Sequence, residues 1–226
     1  MKKITLLLSI LLVATCTIQA QKQFTGEIRF KSKIEGTDDP NLISSVESQE
    51  ISIAILGNKS KTVQKDENYS VTVIWDGEKE TSAVVIEISG FGKFYKKQTA
   101  EELKDKSKFT EYSFKYEDDY KTVCDYKCQK VVMTTTNLED DSTTESILYV
   151  TKEFGSTKLN GHQYPGLEGY PLIQMNRLEE HCEDCFVVIE AIKITPKKIK
   201  DVDFLLPSDA KSIDESPELK QMLGID

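Results

Sequence analysis

The stretch FTGEIRFKSKI, residues 24–34, alternates without a break: Phe24, Ile28, Phe30 and Ile34 fall on one side, Glu27, Arg29, Lys31 and Lys33 on the other. A period of two is the signature of a strand with one face buried and one face in water. Strands of a parallel, doubly wound sheet are covered on both faces and read as continuous apolar runs, so this alternation calls for an antiparallel sheet. The same pattern recurs along the chain. EISIAIL (50–56) aligns Ile51, Ile53 and Ile55; YSVTVIW (69–75) aligns Tyr69, Val71, Val73 and Trp75; AVVIEIS (83–89) offers Val84, Ile86 and Ile88; EYSFKY (111–116) aligns Tyr112, Phe114 and Tyr116. CQKVVMT, SILYVT, YPLIQMNRL and CFVVIEAIKIT continue the series through Thr195. The sequence therefore predicts a mainly β protein.

Helices are few. TAEELKDKS predicts a short helix with Thr99 as N-cap and Glu102 three positions on, a capping box. ESPELKQMLG predicts a second, with Ser216 as cap, Pro217 in the first turn and Gly224 as its stop. Each is about two turns long and needs a surface to dock on. The acid clusters Asp38-Asp39, Asp118-Asp119 and Glu139-Asp140-Asp141 lack the spacing of a calcium loop and read as solvated turns. No internal repeat or linker divides the chain, which predicts a single domain over residues 21–226.

The first twenty residues stand apart. Lys2 and Lys3 precede an apolar run from Ile4 to Val13, too short to span a bilayer, and small residues lead to Ala20. Residues 1–20 read as a secretory signal peptide, cleaved before Gln21, which places the protein in the periplasm or outside the cell. A lipid anchor at Cys16 is the rival reading; Thr15 before it is larger than such sites prefer. Loss of the leader's two lysines takes the formal charge from −9 to −11. So acidic a chain is repelled by nucleic acid and by anionic lipid surfaces, and no further stretch is apolar enough to form an integral membrane segment.

In an oxidising compartment, cysteines read first as disulfides. Cys124 and Cys128 lie in KTVCDYKCQK, Cys182 and Cys185 in EEHCEDCF. If residues 126–135, 145–152, 170–180 and 185–195 form a consecutive antiparallel meander, the two pairs sit at opposite rims, ~25 Å apart. A disulfide needs Cα atoms within ~7 Å, so the expectation is two local bridges, Cys124–Cys128 and Cys182–Cys185. The same separation opposes a four-cysteine zinc site. A redox role for HCEDC is opposed by Glu179, Glu180, Glu183 and Asp184, which would raise a thiol pKa. No cofactor or metal is expected.

Catalytic signals are thin. The only histidines are His162, in the turn-rich LNGHQYPG and expected to be exposed, and His181. There is no G-x-S-x-G elbow, phosphate loop, dinucleotide fingerprint or H-E-x-x-H.

Five separated pieces occur in a telling order: FTGEIRF, GNKSK, DYKCQK, GLEGYPL and AIKITPKKIKDVDFLLP. Together they resemble a family of secreted bacterial proteins of unknown function related to the GLPGLI-type proteins, which are similar in turn to the LolA/LolB lipoprotein-carrier superfold. Gly26, Cys128, Gly169, Pro171, Pro196, Phe204 and Pro207 stand where that pattern has such residues; Cys124, Cys182 and Cys185 lie outside it. The resemblance implies a strongly curved antiparallel sheet, a half barrel, with short helices covering its concave face. It also implies a non-enzymatic binding protein that shelters a lipid or other apolar ligand there. Alternation nominates Phe30, Ile53, Val73, Trp75 and Ile86 as residues facing that side. Two other readings stay open: an envelope protein-interaction module with a packed core and no ligand, and a hydrolase with an unrecognised site.

Overall fold

The structure, a computed structural model, describes residues 23–154, 157–178 and 184–215. The leader with Cys16, the helix expected over 216–224, His181 and Cys182 lie outside the described residues. Within them the protein is mainly β, with one large antiparallel-dominated sheet that does not close and two short helices.

The alternation of residues 24–34 becomes β1 (Thr25–Glu35), the middle of the sheet. On one side it starts a meander of β2 (Glu50–Leu56), β3 (Lys59–Lys65), β4 (Tyr69–Asp76), β5 (Thr81–Ile88) and β6 (Gly92–Gln98). On the other it receives the last strand of a second meander: β7 (Thr110–Val123), β8 (Tyr126–Asn137), β9 (Thr143–Thr151), β10 (Tyr170–Arg177) and β11 (Phe186–Pro196). The two-residue β12 (Lys211–Ser212) adds to β6 in parallel. Helix α1 (Pro40–Glu47) joins β1 to β2, and α2 (Ala100–Ser107) joins β6 to β7. The four-strand meander expected from residue 126 onward is present, strand by strand.

That connectivity forces the sheet to curl. Ten strand-to-strand steps separate β6 from β7. In a flat sheet these would span ~48 Å. The chain covers the gap with residues 99–109, eight of which are helical and advance only ~12 Å. The ends of the sheet must therefore approach each other, and α2 lies at the seam they leave.

Pairing register defines the inner face. One cross-strand row reads Ile28–Ile53–Thr62–Val73–Val84–Lys96; a second, Ile55–Ser60–Trp75–Ser82–Gln98; a third, Phe30–Ile51–Gln64–Val71–Ile86–Phe94. All five apolar residues nominated from the sequence share this face. It continues through Ser32–Ile189–Gln174–Leu148–Val131–Tyr116 into the second meander. There Val131, Met133, Leu148 and Val150 pack with Tyr164 and Leu167 of the segment between β9 and β10. Near β1, Ile28, Phe30, Ile53 and Ile55 share a core with Leu159, Phe154 and Tyr170. Phe154 stacks on Phe24 at 4.3 Å and meets Tyr126 edge-on at 4.8 Å.

The β7–β8 hairpin closes through Cys124 and Asp125, whose φ values of 47° and 71° are those of a type I′ turn. A register break between Tyr116 and Tyr120 precedes it. Beyond the break the hairpin tip lies on the outer face: the Tyr149 hydroxyl donates to Asp119 Oδ2 at 3.1 Å, and the Lys121 ammonium sits 4.3 Å from the Tyr149 ring centroid. The expected Cys124–Cys128 bridge is not formed; both thiols are free. Tyr126 closes the turn by pairing with Val123, and Cys128 lies two residues further along the strand. Cys124 lies one residue beyond the last pair and Cys128 two residues back from it, so roughly three residues of rise, ~10 Å, separate their Cα atoms, more than a disulfide spans. Cys124 Sγ instead points to the Ala191 carbonyl at 3.3 Å. Burial pushes the Cys128 thiol up to about 11. Cys185 is disulfide-bonded, at the opposite rim, where β11 begins.

Two outcomes follow from this fold. Protein lacking residues 1–20, unfolded without reductant, should titrate two thiols per chain with Ellman's reagent, while the native protein reacts slowly and never at Cys128; zero thiols on unfolding would show the hairpin to be oxidised. Gly169 has φ +104°, and a Cβ there would lie 2.9 Å from the Thr151 carbonyl oxygen. Gly169→Ala should therefore lower stability by ~1–3 kcal/mol in urea unfolding.

Candidate ligand cavity at the open seam

The seam holds a cavity of about 540 Å³. Its floor is Trp75, which reaches in from the end of β4 and is only 3 % exposed. Tyr112 and Thr110 enter from β7, Ala100, Leu103 and Lys104 from α2, and Gln98 from the end of β6. The remaining wall is the segment after β9, through Lys158, Gly161, His162 and Pro165. Residues from both meanders thus meet at one place, because the sheet has curled far enough to bring β4 and β7 together.

The wall after β9 is pinned from several sides. The Trp75 indole N–H donates to the Lys158 carbonyl at 2.7 Å. The Tyr164 hydroxyl donates to Gln174 Oε1 at 2.7 Å, both groups being buried. Asn160, also buried, donates to the Gly169 carbonyl. On the β7 side, the Glu168 backbone N–H donates to Tyr116 Oη at 2.8 Å. Gly77 is where this wall meets the β4–β5 turn: a Cβ there would lie 2.3 Å from the Lys158 carbonyl oxygen. Lys158 also forms an ion pair with Glu78 at 2.9 Å, and Glu78 accepts a hydrogen bond from Asn58.

His162, expected to be exposed, packs against Trp75 with ring centroids 5.1 Å apart. Its Nδ1 is buried and has no hydrogen-bond partner. Burial lowers its pKa from 6.5 to about 4, so the ring is neutral near pH 7. Across the mouth Lys104 and Glu80 stand 3.6 Å apart, both exposed. Gln98 Oε1 accepts from Ser82 Oγ at 3.0 Å. The lining therefore combines apolar and aromatic surface with polar groups at its edge, the usual composition of a small-molecule site.

Of the five nominated residues, only Trp75 is part of this lining. Phe30 and Ile53 are packed in the core, and Val73 and Ile86 are half-buried along the same face. The sequence reading missed the contributions of α2 and of His162. The capping box at Thr99 was a signal for α2, but nothing local placed that helix beside Trp75. Among the described residues no group of three His, Cys, Asp or Glu side chains converges as a metal site, and no helix is long and apolar enough to cross a membrane.

By its fold the chain is an open, curled antiparallel sheet with a cavity at its seam. No protein-family model matches it, and no curated protein matches it. Five solved chains match in structure. One of them, described as "Structure of PNGF-II in C2 space group", superposes with a TM-score of 0.54 at 13 % identity. The match covers 89 % of this chain and 33 % of that one, so this protein spans about a third of its length. At that identity the likeness is one of fold.

The buried histidine sets a pH dependence. An unfolded histidine titrates near 6.5 and the folded one near 4, so between these values the unfolded chain binds more protons and stability falls as the pH is lowered. The loss should approach ~3 kcal/mol at most. Most of the slope between pH 6.5 and 5 in urea unfolding should disappear in His162→Phe, because the salt-bridged carboxylates Glu27, Glu78 and Glu117, with lowered pKa values, titrate below that window.

Proposed function

We propose that this is an extracytoplasmic, non-enzymatic binding protein that shelters a small, largely apolar ligand in the seam cavity. The observation that carries the reading is the cavity itself: about 540 Å³, floored by the protein's single tryptophan and walled by Leu103, Tyr112 and Pro165. A packed-core protein has no need of a space of that size between its sheet ends, whereas ligand pockets run to ~300–1,000 Å³. The leader-like residues 1–20 support an extracytoplasmic site of action. The resemblance to GLPGLI-type proteins and to the lipoprotein-carrier superfold supports a carrier role. On this reading the ligand space is the seam; Phe30 and Ile53 are packed core near β1, while Val73 and Ile86 are half-buried along the same face.

The interaction-module reading draws on a different observation: Phe91, Phe109, Val202 and Leu205 are each more than half exposed. Binding separates the two. Purified protein should bind the apolar probe 1-anilinonaphthalene-8-sulfonate at one site per chain. Leu103→Asp should weaken that binding about tenfold or more, as loss of a Leu-sized apolar contact implies, with little change in the urea midpoint because α2 is at the surface. Absence of probe binding by the wild type, together with no organic molecule found by mass spectrometry of the purified protein, would transfer support to the interaction module.

A further inference from the structure

We propose that the seam cavity selects apolar ligands that carry an uncharged oxygen acceptor, a carbonyl, ester or ether, and that His162 Nε2–H is the donor that recognises it. Selection of this kind rests on the cavity reading of the seam and adds the chemistry of what fills it. The His162 ring packs against the Trp75 floor with centroids 5.1 Å apart. Gly161 lets the wall come this close, since a Cβ there would stand 3.0 Å from Trp75 Cζ2. Nδ1 of the ring is enclosed by protein and has no partner. A phenyl ring would fill the same place without an orphaned nitrogen, and buried polar atoms without partners are few in native proteins. Packing on Trp75 therefore does not account for a histidine here. What the histidine adds is its second nitrogen. Nε2 is not enclosed as Nδ1 is, and no hydrogen bond occupies it among the described residues. The ring is part of the cavity wall, so this nitrogen is the polar atom it offers to an occupant.

The position of the hydrogen decides what is offered. In a neutral imidazole one nitrogen carries the hydrogen and the other a lone pair. A buried N–H without an acceptor is rarer in proteins than an acceptor left unmet. The hydrogen therefore belongs on Nε2, and the enclosed Nδ1 keeps the lone pair. The backbone holds this donor in place: the N–H groups of Gln163 and Tyr164, the next two residues, both donate to the Asn160 carbonyl, at 2.9 and 2.8 Å. Charged side chains around the cavity come in offsetting pairs, Lys104 with Glu80 at 3.6 Å and Lys158 with Glu78 at 2.9 Å. They leave no net charge to draw a carboxylate or an ammonium inward. In a lining shared with Trp75 and Leu103, an ionised group would lose its water without gaining a counter-ion.

A matched pair of probes tests the donor. 2-Acetylnaphthalene and 2-ethylnaphthalene have nearly the same shape and differ by one carbonyl oxygen. They are titrated against protein lacking residues 1–20, with the fluorescence of Trp75, the only tryptophan, as the readout. The ketone should bind about fivefold or more tightly than the hydrocarbon, the difference that one neutral hydrogen bond makes. His162→Phe should abolish or reverse that preference while its urea midpoint near pH 7 stays at the wild-type value. His162→Gln, whose amide puts an N–H near the Nε2 position, should keep part of it. The wild type should bind 2-naphthoate more weakly than the ketone. Without any ligand, nitrogen-15 spectra of the His162 ring near pH 7 should show the hydrogen on Nε2. A hydrogen on Nδ1, equal binding of ketone and hydrocarbon, a preference that survives in His162→Phe, or naphthoate binding more tightly than the ketone would overturn the assignment and leave the cavity reading standing. A wild type that binds neither naphthalene would sink both.

Discussion

The pairing of β1 with β11 is the constraint on which the rest of the structure depends. Each meander is local, with neighbours in sequence paired as neighbours in space. Among the described residues, only the β1–β11 ladder, from Gly26↔Pro196 to Glu35↔Phe186, pairs a strand of the first meander with one of the second. Without it there would be two small sheets, each with an unburied apolar face. With it, rows of inner-face residues run through β1 and share a core. The α2 connection then has to span the sheet's ends, and its shortness converts a long ribbon into a curled one. Curling places Trp75 and Tyr112 on one cavity although they belong to strands eight steps apart.

The fold was legible wherever burial left an alternation in the residues. FTGEIRFKSKI, EISIAIL and YSVTVIW declare their faces, and their register puts Phe30, Ile53, Val73, Trp75 and Ile86 on one side, as the periodicity implied. Two strands were silent for a physical reason. In β3, KSKTVQK, the inward positions are Ser60, Thr62 and Gln64, so neither face is apolar. In β6, GKFYKKQ, the inward row ends in Lys96 and Gln98 at the sheet's edge. Helix α1 was hidden in an acid cluster: Asp39 is its N-cap, accepting from the Asn41 N–H, and Pro40 occupies its first turn. The pattern of cap followed by proline was present, but the segment carries no buried residue to reveal a helical stripe.

The cavity was far less legible than the fold. Its lining comes from β4, the end of β6, α2, the start of β7 and the segment after β9, brought together by closure over long sequence distances. Trp75 could be nominated because it belongs to an alternating strand. His162 could not, because a turn-rich sequence such as LNGHQYPG gives no sign of which way its side chains face. The cysteines show the same limit. The oxidising compartment and the expected meander suggested a Cys124–Cys128 bridge, whereas the type I′ turn fixes where each Cβ stands, and there Cys128 is a buried side chain.

A sheet that curls without closing keeps two edges, and an edge invites other chains to add strands to it. At one end β12 is only two residues long, too short to template a growing ladder. At the other, β7 runs for fourteen residues, but its register breaks between Tyr116 and Tyr120, and Glu117, Asp118 and Asp119 sit at that break. A second molecule laid along β7 would lose alignment halfway and meet the exposed Asp118, flanked by Glu117, which is paired with Lys115 and Lys130, and by Asp119, which is held by Tyr149. The irregularity that folds the hairpin tip onto the outer face thus also guards the open end of the sheet against fibre-like polymerisation.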